Sequence, residues 1–124
     1  VPVIPIPGPF AAATALSASG LPTDGFLFVG FLPPKRSARQ RFFQNHLQFP
    51  YTLVFYESTH RIDKFLEDAL TVFGPDRMLC LAREITKLHE TFLVGSIAEV
   101  RQTFQSQSSK GEFVVCIAKE GISP

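Results

Sequence analysis

The sequence predicts an α/β fold: a single three-layer-like domain whose mixed sheet of four to five strands is flanked by helices. Two observations carry this expectation. Short β-branched and aromatic runs alternate along the chain with amphipathic segments of helical period, the pattern of a sheet covered by helices. The chain also has the apolar bulk for one core: 124 residues, 45% hydrophobic and 19% charged, with 13 Phe, 2 Tyr and no Trp. At this length roughly two-thirds of the unfolded surface can be buried.

The elements follow in order. Val1 to Pro7 is β-branched and interrupted by prolines, which suits an edge strand or an extended connector. Residues 1–8 are assigned to an inter-domain connector and 9–124 to the domain proper. Pro9 fits a first helical turn, and the Ala-rich stretch to Ser19 ends at Gly20, so a helix is predicted over 9–19. Leu21 to Gly25 is a loop by its turn residues. Phe26 to Phe31 reads as a buried strand, stopped by Pro33-Pro34. Residues 36–48 form a helix with Phe42, Phe43 and Leu47 on one side, and Tyr51 to Tyr56 a strand. Ser58 or Thr59 can cap a helix in which Ile62, Phe65, Leu66, Ala69, Val72 and Phe73 recur at helical spacing before Gly74-Pro75. Arg77 to Ala82 is the next strand, Glu84 to Glu90 a polar loop, and Thr91 to Val94 a short strand. Ser96-x-x-Glu99 is a capping box for a helix to about Gln105. A Ser/Gln loop to Lys110 leads into a last strand, Phe113 to Ala118.

Composition narrows the classes. A net charge of +1 excludes a strongly basic whole-molecule field and leaves a local basic patch open. Cys80 and Cys116 are too few for a disulfide scaffold, and both sit in apolar runs, as reduced core thiols of a cytoplasmic protein would. His46, His60 and His89 are widely separated and lack partners at ligand spacing, so no metal site is expected. No apolar run approaches the roughly 18 residues of a membrane span. The N-terminus lacks a charged n-region and is broken by prolines, so it does not read as a signal peptide. A chain that opens in strand-like sequence reads as an excised piece of something longer.

There is no GxGxxG, P-loop, HExxH or GxSxG. Chemistry is therefore sought in polar residues following apolar strands, because open α/β sheets bind ligands outside the carboxyl ends of their strands. Three segments meet that criterion. Glu57-Ser58-Thr59-His60-Arg61 packs a carboxylate, two hydroxyls, an imidazole and a guanidinium into five residues. Arg83-Glu84-Ile85-Thr86-Lys87-Leu88-His89-Glu90 is similarly dense. Lys35-Arg36-Ser37-Ala38-Arg39-Gln40-Arg41 holds four cations and no acid, which suits phosphate contact. The plain alternatives are capping residues in the first, a solvated charged loop in the second and a surface helix in the third.

Taken together these segments resemble the tetrapyrrole methylase superfamily. The resemblance rests on Pro5-Ile6-Pro7-Gly8-Pro9-Phe10-Ala11, on Ala15 to Asp24 and on Phe28-Val29-Gly30-Phe31-Leu32-Pro33. Thr52 to Arg61, Ala82 to Glu90 and Lys110 to Val115 are similar to its branch of small-subunit ribosomal RNA 2′-O-ribose cytidine methyltransferases. The sequence departs from the family at Phe10, where Ser is usual, and at Thr59, where Pro is usual. The resemblance implies the C-terminal domain of an S-adenosylmethionine-dependent enzyme whose other domain would precede Val1, with the cofactor in the cleft between them. It implies cofactor packing on Pro7, Gly8, Pro9, Phe55 and Tyr56, and a homodimer in the full-length protein. A ribose hydroxyl is a weak nucleophile, so a base or cation beside it is expected, with Glu57, His60, Glu84 and Lys87 as candidates. Arg61 and Arg83 would orient carboxylates or grip phosphate, and Lys35, Arg36 and Arg39 would extend that grip along the RNA. Two alternatives stand beside this reading: methylation of a corrin or porphyrin precursor, and a non-catalytic RNA-binding module.

Overall fold

The computed structural model describes residues 25–86, 89–105 and 112–121. The predicted connector, the helix over 9–19 and the 105–110 loop beyond Gln105 lie outside them. The described elements are β1 (Phe26–Gly30), α1 (Arg36–Asn45), β2 (Thr52–Ser58), α2 (Ile62–Phe73), β3 (Met78–Thr86), β4 (His89–Ser96), α3 (Ile97–Gln105) and β5 (Glu112–Ile117). The five strands form one mixed sheet in the order β1-β2-β5-β3-β4. β1 and β2 are parallel, and all other neighbours are antiparallel.

All three described helices contribute to one core on one face of the sheet. Phe43 of α1, Phe65 and Leu66 of α2, and Val100 and Phe104 of α3 meet Leu53, Phe55, Leu79, Leu81, Phe113, Val115 and Ile117 of the strands. The abundance of phenylalanine has a geometric use here. Phe43 stands edge-on to Phe55 and Phe65 at ring-centroid distances of 5.7 and 5.3 Å, the arrangement that opposed ring quadrupoles favour. The opposite face carries a smaller cluster of Val54, Met78, Cys80, Cys116 and Ala118, with Phe28, Ala82 and Val114 at its border. Cys80 and Cys116 are buried cross-strand neighbours and form no disulfide. Burial pushes the Cys116 thiol far above its usual range, so it stays protonated.

Several local expectations change once the strands are paired. β1 is an edge strand with one neighbour, and Phe26 and Leu27 are exposed rather than buried. β2 continues through Glu57 and Ser58 because β5 extends to Glu112 and pairs with them. Ser58 is thus a strand residue. The N-cap of α2 is Arg61, and no side chain caps that helix. Glu84 to Thr86 and His89 to Glu90 are strand rather than loop: β3 runs to Thr86, β4 begins at His89, and the two pair antiparallel. The capping box of α3 forms as its residue types dictate. Ser96 Oγ accepts the Glu99 amide at 3.2 Å while Glu99 Oε1 accepts the Ser96 amide at 3.2 Å. The Ser96 hydroxyl, donating to Glu99 Oε1 at 2.9 Å, and the Ser96 amide hold the Glu99 carboxyl below the usual glutamate value.

α1 is joined to α2 by a buried charge cluster. Asp68, fully buried on α2, accepts Arg39 Nε at 2.7 Å, Arg36 Nε at 3.1 Å and Gln40 Nε2 at 3.1 Å. Arg39 also donates through Nη1 to the Pro34 carbonyl. A buried carboxylate needs such partners, because its desolvation costs several kcal/mol. Asp68→Ala is expected to destabilise the fold by about 3–5 kcal/mol, since it strands the buried Arg39 charge. Arg36→Ala, at a half-exposed side chain, should cost under about 1 kcal/mol. Urea unfolding of the two variants beside the parent checks this contrast.

Candidate functional site

Strand direction decides where the polar ends meet. β5 runs against both β2 and β3, so β2 and β3 point the same way, and β1 is parallel to β2. The carboxyl ends of β1, β2 and β3 therefore share one edge of the sheet. Register sets the rows there. Glu57, Phe113, Arg83 and Thr91 occupy one, and Ser58, Glu112, Glu84 and Glu90 the next. With strands about 4.8 Å apart, positions on β2 and β3 in one row are separated by about 10 Å. The carboxyl ends of these three strands, far apart in sequence, thus lie along one edge.

Glu57 is the buried acid of this edge, at 3% exposure. It lies on the helix-covered face, following Leu53 and Phe55 in the strand alternation. Burial raises its carboxyl above the usual glutamate value. The Ser58 amide, donating to Glu57 Oε1 at 2.9 Å, and the charges of Arg61 and Arg39 oppose that rise. Among the described residues no cation forms a direct ion pair with it. His60 and Arg61 are exposed in the turn that follows, which the Arg61 amide closes on the Ser58 carbonyl at 3.1 Å.

Tyr56 faces the other side of the sheet. Its ring packs edge-on to Phe28 at 5.1 Å and tilted against Phe31 at 5.8 Å. Its hydroxyl is buried with no hydrogen-bond partner among the described residues. Burial, assisted by Glu112, raises its pKa. A buried hydroxyl without a partner costs free energy unless a polar ligand satisfies it. Tyr56 therefore fits a polar ligand at this edge. Phe55 does not offer its side chain to one, because the ring is sealed among Phe42, Phe43 and Phe65.

The basic segment divides. Lys35 and Arg41 are exposed, and Arg36 is half-exposed while paired to Glu67 and Asp68. Arg39, expected on the surface, is turned into the protein, where Asp68 and the Pro34 carbonyl hold its guanidinium. The reason is the helical period: Arg39 lies four residues before Phe43, on the face that packs against α2. Arg83 is partly buried in the Glu57 row, and Glu84 is placed by its backbone opposite Glu112 and Glu90. Lys87, Pro7, Gly8 and Pro9 lie outside the described residues. Among the described residues, no three His, Cys, Asp or Glu side chains converge as metal ligands, and no helix is long and apolar enough to cross a membrane. One residue of the edge was missed in the sequence: Phe31, directly after β1 and strongly exposed. Its signal was an aromatic followed by Leu-Pro-Pro-Lys at a strand end.

Comparisons with known proteins identify the family and the fold. Residues 1–101 match the family model described as Tetrapyrrole (Corrin/Porphyrin) Methylases. The Ribosomal RNA small subunit methyltransferase I of Pasteurella multocida (strain Pm70) is 47% identical over 119 residues, which are 94% of this chain and 42% of that protein. The protein of the same name from Xylella fastidiosa (strain Temecula1 / ATCC 700964) is 44% identical over 117 residues, 93% of this chain and 43% of its own length. The chain thus spans less than half the length of these curated relatives. Among solved structures, the cobalamin biosynthetic enzyme cobalt precorrin-4 methyltransferase, CbiF, superposes with a TM-score of 0.62 at 8% identity, over 87% of this chain and 48% of that one. The methyltransferase CobJ does so with a TM-score of 0.58 at 16% identity, over 86% and 46%. At such identities the likeness speaks for the fold. The mixed five-stranded α/β sheet and the match over most of the sequence lead to one conclusion: the chain belongs to the tetrapyrrole (corrin/porphyrin) methylase family.

Proposed function

We propose that this chain is part of an S-adenosylmethionine-dependent methyltransferase acting on the ribose 2′-oxygen of a cytidine in small-subunit ribosomal RNA. The observation that carries the reading is the meeting, at one sheet edge, of Glu57, the exposed His60 and Arg61, and the Arg83 row. The 44–47% identity to relatives named as ribosomal RNA methyltransferases favours RNA over a tetrapyrrole substrate.

S-adenosylmethionine, when bound, supplies an electrophilic methyl group on a sulfonium. The protein's part is orientation and proton management, and orientation alone is worth several kcal/mol of barrier. Tyr56 Oη offers its unmatched hydrogen bond to a ligand at this edge, and backbone around Pro7-Gly8-Pro9 would complete that contact, by resemblance. Glu57 is our candidate for the group that takes the ribose proton. Its raised pKa brings it nearer the operating pH, where general bases work best. Glu84 remains a second candidate for the base, and His60 and Lys87 for stabilising the developing oxyanion. Lys35, Arg36 and Arg61 would hold phosphates of the bound strand. Arg39 we assign instead to fixing the Pro34 turn, since its donors are committed inside the fold.

The primary test incubates the full-length protein with labelled S-adenosylmethionine and unmodified small ribosomal subunits. Label is expected at a ribose 2′-oxygen. RNA binding without transfer would point to a non-catalytic module, and transfer to a tetrapyrrole would point to the corrin branch. In the same assay Glu57→Gln is expected to lower kcat by about 100-fold or more with little change in KM for the subunits. The substitution also has a sign in stability. An acid whose folded pKa is raised is destabilising when ionised, so the wild-type protein loses stability relative to Glu57→Gln as pH rises past the usual glutamate value. Melting temperatures of the two proteins from pH 4 to 8 should therefore diverge upward in favour of the variant.

A further inference from the structure

Phe31 is the most exposed large hydrophobic residue among those described, at 64%. It stands beyond β1 at the edge that carries Glu57 and Tyr56, with its ring centroid 5.8 Å from that of Tyr56. The turn that presents it is stiff. Gly30 enters it with φ +80°, a conformation that glycine adopts without strain. Leu32 is anchored in the core. Pro33 and Pro34 fix two φ angles. The Pro34 carbonyl is held by Arg39, which the buried Asp68 holds in turn. Lys35, exposed, closes the segment. A rigid turn that carries an exposed aromatic ring and ends on an exposed cation has the composition of a base-stacking platform. The π face accepts an unstacked base, the cation accepts its phosphate, and little ordering entropy is lost on binding.

We propose that Phe31 stacks on an unstacked nucleobase of the RNA substrate while Lys35 contacts the adjoining phosphate; this rests on the RNA reading above. The adenine of the cofactor offers the same π chemistry but no phosphate for Lys35, so the RNA base is favoured.

The test uses the full-length protein, unmodified small ribosomal subunits and S-adenosylmethionine. Phe31→Ala is expected to raise KM for the subunits roughly tenfold, the loss of one base–aromatic stack. Its kcat, its affinity for S-adenosylmethionine and its melting temperature should be unchanged. Phe31→Trp should keep KM within about twofold of wild type, and Phe31→Leu, similar in bulk but without a π face, should behave like alanine. Retained KM in Phe31→Leu overturns stacking. So does weakened cofactor affinity with KM unchanged, which would assign the ring to the adenine. A melting temperature lowered by several degrees also overturns it, since Phe31 would then be packed against the rest of the protein. Should the wild-type protein transfer no label to RNA, the functional reading fails separately. Stacking is then decided by fluorescence anisotropy with a single-stranded RNA oligonucleotide: wild type must outbind Phe31→Ala, and equal binding refutes the proposal.

Discussion

The insertion of β5 between β2 and β3 is the constraint on which the rest of the molecule depends. This strand is the last of the described elements, yet it lies at the centre of the sheet and pairs antiparallel on both sides. Phe113, Val115 and Ile117 feed the helix-side core, and Val114 and Cys116 the opposite cluster. Its direction also makes β2 and β3 parallel to each other without being neighbours. Were β5 absent, the polar ends of those two strands would lose the pairing that sets them in common rows. The packing and the candidate site thus rest on the same pairing.

A second constraint acts on the helix layer. Asp68 is a buried carboxylate that gathers Arg36, Arg39 and Gln40 from α1. Such a cluster is not a large source of stability against an apolar alternative, because desolvation offsets much of the Coulomb attraction. Its value lies in geometry. Arg39 reaches past Asp68 to the Pro34 carbonyl, so the relation of α1 to α2 also sets the turn after β1. A charge expected to face a nucleic acid instead holds the loop that presents Phe31 and Lys35.

The edge itself combines groups of different character on the two faces of one strand. Glu57 lies beneath the helices, where burial raises its pKa, and Tyr56 lies across the sheet with a hydroxyl that has no described partner. Perturbed acids and unsatisfied polar atoms are costly for folding alone, and they concentrate where a ligand makes them useful. The chain matches relatives more than twice its length.

By itself the sequence determined the elements whose signal is local. The 3.6-residue recurrence from Ile62 to Phe73, the Gly74 stop, the Ser96–Glu99 box and the apolar run of β2 all appear where residue types place them. The three polar segments were also legible, because ionisable residues after apolar strands need no partner to be noticed. Tertiary structure alone decided which strand is central, that β1 is an edge, that Glu84 to Thr86 pairs with β4, and that Arg39 is buried. Each of these depends on a partner remote in sequence: β5 for the sheet order, β4 for the hairpin, and Asp68, 29 residues from Arg39, for the guanidinium. Periodicity records which side of an element is apolar. It does not record which distant backbone or charge will satisfy the remaining polar groups, and that choice set the edge where the candidate residues gather.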